Sequence, residues 1–353
     1  MARIDPALAE LSLDAQVAAG PMAQVIASLE REIARTDDFR ARRDLLEELK
    51  ELRRRAESHV LDQAQVLTAT FGTLARLGDK LPPVHTVLVD EATQATEPAV
   101  WTAVPFATRL ILVGDPEQLG PVSRVVGSPL ETSLLERLVN EGRPAPMLAV
   151  QHRMDTRLRE LVADVYGPAY TDHPSVAHQP LDEHPGVSAA PLTTQPAVFI
   201  DTAGSGLAEQ VDPATRSLFN PGEVALVRQA VDSLLAAGLA KADLAVLAPY
   251  SAQVARLREE LPGIEVATVN AFQGRERAAL VVSWVRSNDD GELGFVADGR
   301  RLTVTLTRAR STLVQIGDSA TLSAVSRFAR VVDTIAEQGG LVSVFEPPWD
   351  AVL

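Results

Sequence analysis

Two adjacent carboxylates stand directly behind an apolar run: Thr86-Val87-Leu88-Val89 leads into Asp90-Glu91-Ala92-Thr93-Gln94. A second apolar run, Leu110-Ile111-Leu112-Val113, delivers Gly114-Asp115-Pro116-Glu117-Gln118-Leu119. Open parallel sheets bind ligands beyond the carboxyl ends of their strands, where Asp90-Glu91 falls. An aspartate there can hold Mg²⁺, usually through water, while the neighbouring glutamate polarises an attacking water. Gln118, an uncharged donor, suits the sensing of a terminal phosphate. The plainer alternatives are a solvated acidic turn for the first run and an ordinary Pro-Gly strand exit for the second. The lysine that normally completes a phosphate site sits in Gly-x4-Gly-Lys-Ser/Thr. Here Lys50, Lys80 and Lys241 follow Leu49, Asp79 and Ala240, so no such loop is present.

Three later clusters add charge of the opposite sign. They are Gln151-His152-Arg153-Met154, then Val269-Asn270-Ala271-Phe272-Gln273-Gly274-Arg275-Glu276, and Arg300-Arg301-Leu302-Thr303-Val304-Thr305-Leu306-Thr307-Arg308-Ala309-Arg310. With the two runs above, their order and spacing resemble the motifs of superfamily 1 helicases. The branch is the one containing the nonsense-decay helicase, and the immunoglobulin-mu-binding helicase family is the nearest pattern. Asp201–Leu207, Asn220–Val224 and Val285–Asn288 are similar to that family too, and the resemblance runs from about Arg3 to Pro347.

The resemblance implies an α/β fold: two RecA-like, parallel-sheet domains of the P-loop-NTPase type, the first incomplete, with an N-terminal helical stalk hairpin. It implies ATP and Mg²⁺ as cofactors. Asp90 would bind Mg²⁺ and Glu91 would be the catalytic base. Gln118 would contact the γ-phosphate, and Arg153 and Arg308 would be arginine fingers, although each could simply pair with an acid. Glu276 would hold the ribose, and Gln94, Asp115 and Gly274 would line the same nucleotide site. His152 stands where many relatives carry a tyrosine that stacks on adenine, and Thr303 and Thr305 replace the commoner Asn and Ala. Nucleic-acid contacts would fall at Thr70, Pro249, Tyr250 and Thr268, mostly to the backbone and with little sequence preference. Tyr250 reads equally well as a core residue. The family places its phosphate-binding loop upstream of the segment that Arg3 enters. Ala203-Gly204-Ser205-Gly206 is glycine-rich but carries no lysine and cannot replace that loop.

The elements that must position these groups follow from periodicity. Charges of both signs from Met22 to about Gln65, with Leu45, Leu46, Leu49 and Leu52 at helical spacing, predict paired solvated helices breaking near Thr36-Asp37-Asp38. Strands are expected at Val66–Thr70, Thr86–Val89 and Arg109–Val113, then at Ala197–Ile200, Leu244–Leu247, Glu265–Thr268, Leu280–Ser283 and Leu313–Ile316. This gives a stalk over 1–64, the remainder of a first α/β domain over 65–144 and a second domain over 145–353. Val176–Gln195 is expected to be a surface loop. His173, His178 and His184 share a loop with Asp172, Asp182 and Glu183, but the spacing matches no strong zinc pattern. Trp101, Trp284 and Phe272 are expected in the core.

Bulk properties narrow the function. The 353 residues suffice for two cores, and a net charge of −14 argues mildly against a nonspecific nucleic-acid binder. The absence of cysteine excludes disulfides and thiolate-zinc sites. Met1–Pro6 has no apolar signal core, so a cytoplasmic protein without membrane contact is expected. The expected function is that of an ATP-dependent superfamily 1 helicase with 5′-to-3′ polarity. It would act on single-stranded or forked DNA or RNA and need a phosphate loop supplied elsewhere, on a separate polypeptide if the gene is split. The competing expectation is an inactive nucleic-acid- or partner-binding remnant. The second domain is expected to fold alone, and the first to be loose unless something covers its open strand edge.

Overall fold

The computed structural model describes residues 6–123, Val125 and 127–352. The start of the resemblance at Arg3 and most of the Met1–Pro6 segment lie outside the described residues. The chain divides into two compact units: residues up to Gly114 with Pro121–Arg137, and Asp115–Gly120 with Leu138 onward. No helix among the described residues is long and apolar enough to cross a membrane.

In the first unit, helices Ala23–Arg35 and Phe39–Gln63 form the predicted hairpin. Ile26, Leu29 and Ile33 recur at helical spacing and bury one stripe against Leu49 and Ala56. The break lies at Thr36–Asp38, where the Asp38 carboxylate accepts the backbone N–H of Ala41 at 2.9 Å and starts the second helix. The outer faces carry exposed pairs such as Arg53–Glu30, which keep the hairpin solvated and add little stability.

The unit's sheet has two parallel strands, β1 (Val84–Val89) and β2 (Ala107–Leu112). Gly114 is required at the exit of β2, because a Cβ there would meet the backbone nitrogens of Thr93 and Ala92 at 3.0 and 3.1 Å. Parallel strands are normally covered on both faces, yet Leu88 is 59% exposed. Two sequence expectations fail in this unit. Val66–Thr70 is not a strand: it pairs with nothing as a ladder, Val66 is 80% exposed, and Thr70 instead caps helix Phe71–Leu77. β-Branched residues make a strand only where a neighbour supplies hydrogen bonds. Trp101 is not core either. It is 51% exposed, with its indole N–H donated to Glu97 at 3.0 Å.

The second unit holds six parallel strands: β3 (Ala197–Asp201), β4 (Leu244–Ala248), β5 (Glu265–Thr268), β6 (Arg277–Ser283), β7 (Ala309–Gly317) and β8 (Leu341–Ser343). Their order is β8-β3-β7-β6-β4-β5. β4 is buried along its whole length, and two apolar clusters cover the sheet on its two faces. Trp284 and Phe272 are fully buried as expected, and Trp284 meets Phe328 edge-on at 4.8 Å. β8 was not expected: three residues pairing with one neighbour give too short a run to read. Val176–Gln195 is irregular apart from one short turn of helix, but Leu181, Leu192 and Thr193 are buried, so the loop is pinned to the core.

Candidate nucleotide site and nucleic-acid edge

The starting edge of the second unit's sheet gathers most of the charged candidates. β6 and β7 are neighbours, and the residues immediately before them are Glu276 and Arg308. The Gln151–Arg153 turn is brought to the same edge because the backbone N–H of Asp155 donates to the carbonyl of Arg310 at 2.8 Å. Gln151 is buried and shapes that turn. Its Oε1 accepts the backbone N–H groups of Arg153 and Met154, both at 2.8 Å, and its Nε2 donates to Asp172 at 2.7 Å. Arg153 is thereby aimed at Glu276, with Nε to Oε2 at 2.5 Å, while its Nη1 donates to the Thr307 carbonyl at 3.1 Å.

Arg308 follows helix Gly299–Leu306 and is only 2% exposed. Its guanidinium donates to the Val304 carbonyl at 3.2 Å, to Thr307 Oγ1 at 2.8 Å and to Gln118 Oε1 at 3.0 Å. Gln118 is oriented in turn by donating Nε2 to Asp115 at 2.9 Å. Leu119 anchors the segment by packing on Val269 and Val304. Tyr166 also donates to Asp115, at 2.5 Å, and burial together with that carboxylate pushes its phenol well above the usual range. Gly274, at φ +76°, turns the chain two residues before Glu276. Asp115, Gln118, Arg153, Gly274, Glu276 and Arg308 are therefore placed around neighbouring strand starts.

In the first unit, Asp90 is exposed just beyond β1, and its Oδ1 accepts the backbone N–H of Glu91 at 3.0 Å. Glu91 has φ +51°, a conformation that costs a side-chain-bearing residue about 1 kcal/mol or more and that clusters at functional sites. The N–H of Gln94 closes the turn on the Glu91 carbonyl at 2.9 Å. An exposed carboxylate at a parallel strand end fits Mg²⁺, and a buried guanidinium beside a carboxamide fits a phosphate.

The opposite edge of the second sheet carries Pro249 and Tyr250 after β4 and Thr268 at the end of β5. Tyr250 is 6% exposed, with its hydroxyl accepting from Arg286 at 3.3 Å, so the core reading is the observed one. The surface aromatic there is Phe295, 46% exposed, which lies on Tyr250 at 4.5 Å with the Arg301 guanidinium 4.7 Å from its ring centre. The only sequence signal for it is an isolated aromatic directly after the largely polar stretch Asp289–Gly294. The three loop histidines separate: His173 meets His152, His178 pairs with Glu183 at 3.5 Å, and His184 bonds Ser311 at 2.8 Å. Among the described residues no group of three or more such side chains could hold a metal.

Residues 130–320 match one family model described as an AAA domain, and residues 23–124 match a second of the same description. The rat DNA-binding protein SMUBP-2 is 37% identical over 98% of this chain and 38% of its own length. The DNA polymerase alpha-associated DNA helicase A of Schizosaccharomyces pombe is 31% identical over 97% of this chain and 55% of its own. Regulator of nonsense transcripts 1 of Dictyostelium discoideum is 33% identical over 77% of this chain and 21% of its own. The chain belongs to the AAA-domain family of superfamily 1 helicases, nonsense-decay type. It spans 38% of the length of the mammalian relatives. The match over residues 130–320 spans five of the six strands of the sheet described above, β3 to β7.

Proposed function

We propose that this helicase-family chain supplies most of an ATP-driven, 5′-to-3′ nucleic-acid helicase and works with a phosphate-binding loop from another segment. The observation that carries the reading is the buried Arg308 guanidinium held on Gln118, with Arg153 fixed beside it at neighbouring strand starts. Fixed guanidinium forks match the charge that spreads over phosphoryl oxygens during transfer. Bound ATP with Mg²⁺ would supply the free energy of phosphate release. Asp90 is the residue that would hold the ion, and Glu91 would accept the proton of the attacking water. Gln118 and Arg308, already hydrogen-bonded to each other, would respond together to the terminal phosphate. The exposed Leu88 face of the two-stranded sheet supports a covering segment of parallel α/β type.

The test is single-stranded-DNA-stimulated ATP hydrolysis by the chain, alone and mixed with a polypeptide carrying Gly-x4-Gly-Lys-Thr and its flanking strand. Hydrolysis is expected in the mixture and is expected to vanish in Glu91→Gln. Unchanged turnover in that variant removes Glu91 as the base. Absence of both hydrolysis and nucleotide binding in the mixture would favour a nucleic-acid-binding remnant.

At the opposite edge, Phe295→Ala is expected to weaken single-stranded DNA binding roughly tenfold, since losing one base-stacking ring costs about 1–3 kcal/mol. Fluorescence anisotropy with a labelled oligonucleotide measures this, and equal affinities would remove Phe295 from the nucleic-acid path.

A further inference from the structure

His152 and His173 are 21 residues apart, yet their rings are 4.2 Å between centres and inclined by 26°. A short parallel ladder produces this stack. Val150 pairs with Thr171 and Gln151 with Asp172, and the His173 N–H continues the ladder to the Gln151 carbonyl at 2.9 Å. The next register pair is His152 with His173, whose side chains leave the ladder on the same side. His173 is then locked from behind. Its Nδ1 accepts the backbone N–H of Ser175 at 3.2 Å and lies 2.8 Å from Ser175 Oγ. A ring nitrogen that accepts an amide hydrogen carries none of its own, so Nε2 is the nitrogen that holds the ring's proton.

His152 is exposed, and His173 is half-buried behind it. One face of the His152 ring is covered by a fixed aromatic partner, and the residue next in sequence is the fixed Arg153. We infer that His173 is a positioning residue that turns His152 into a two-ring platform for the purine base of the nucleotide whose phosphates Arg153 and Arg308 receive. The inference rests on the nucleotide reading of this edge. It assigns His173 a part in base selectivity, since a purine overlaps a small imidazole better when that ring cannot tilt away. A pyrimidine gains less from the same constraint.

The experiment measures binding of ribose-labelled fluorescent ATP and CTP to the whole chain complemented with the loop-carrying polypeptide, and to its His173→Ala and His173→Phe variants. Loss of one aromatic partner corresponds to a roughly 3- to 10-fold weaker interaction. His173→Ala is expected to weaken ATP binding by that factor, to weaken CTP binding less, and so to narrow the preference between them. His173→Phe is expected to restore both affinity and preference. Equal ATP affinity in His173→Ala, an equal loss for ATP and CTP, or no rescue by Phe each overturns the positioning role. If the unsubstituted chain binds neither nucleotide even when complemented with the loop-carrying polypeptide, the nucleotide reading itself falls and takes this inference with it.

Discussion

Arg308→Lys is expected to lower DNA-stimulated ATP hydrolysis by about three orders of magnitude in the loop-complemented chain, the lower end of what an arginine finger contributes. The reason is geometric. Arg308 is buried and spreads its guanidinium over Val304, Thr307 and Gln118, so the fork is fixed before any phosphate arrives. Lysine keeps the charge but offers a single mobile ammonium and cannot hold those acceptors together. A purely structural clamp makes a different prediction: the lysine variant would melt earlier yet turn over within threefold of the parent when assayed below its melting temperature. Gln118→Ala separates the two further. If Gln118 and Arg308 act on the phosphate as one unit, the double variant should be scarcely slower than Arg308→Lys alone. Independent losses that multiply would assign the 3.0 Å contact to packing.

β4 is legible because Leu244–Ala248 is a continuous apolar run, as a central parallel strand must be; β3 and β6 are legible for the same reason, while β7 shows only at Leu313–Ile316, where Gln315 interrupts the run. Val66–Thr70 has the composition of a strand and is none, since pairing depends on a neighbour that composition does not reveal. Site residues divide in the same way. The types at Asp90, Glu91, Gln118, Arg153, Glu276 and Arg308 mark phosphate chemistry, but their partners are set by tertiary register. Arg153 meets Glu276 across 123 positions, and Arg308 meets Gln118 across 190. His173 looked like part of a dispersed histidine loop until a two-residue ladder put it behind His152. Trp101 misled because a large aromatic near apolar residues usually buries, whereas here its N–H finds a carboxylate at the surface.

Glu223→Gln is expected to flatten the pH dependence of stability between about pH 5 and 8. Glu223 is fully buried, and that burial is the main cause pushing its carboxyl up from 4.5 to about 8. Donors from Ser283 at 2.5 Å and the Val285 N–H at 2.9 Å oppose the shift, while the charges of Asp318 and Glu209 add to it. The folded chain therefore keeps a proton that the unfolded chain releases near pH 4.5. This contribution is fully present below about 4.5 and is lost progressively as pH rises towards 8, beyond which it changes no further. At about 1.4 kcal/mol per pH unit the loss is on the order of 5 kcal/mol. Carboxylates held low by their partners, such as Asp212 at about 2, titrate below this window and cannot produce the same slope. Glutamine reproduces the neutral form, at the cost of an amide placed where Oε1 has no hydrogen-bond partner. Urea melts at pH 5.5, 7 and 8.5 should show the parent midpoint falling while the variant's stays level; parallel declines would clear Glu223 of responsibility. The consequence reaches the nucleic-acid edge. Glu223 fixes Val285 at φ +72°, and the next residue, Arg286, donates to the Tyr250 that supports Phe295. Ionising Glu223 should therefore loosen the aromatic platform before the sheet itself gives way, so oligonucleotide affinity should decline at a lower pH than the urea midpoint at 25 °C reaches zero.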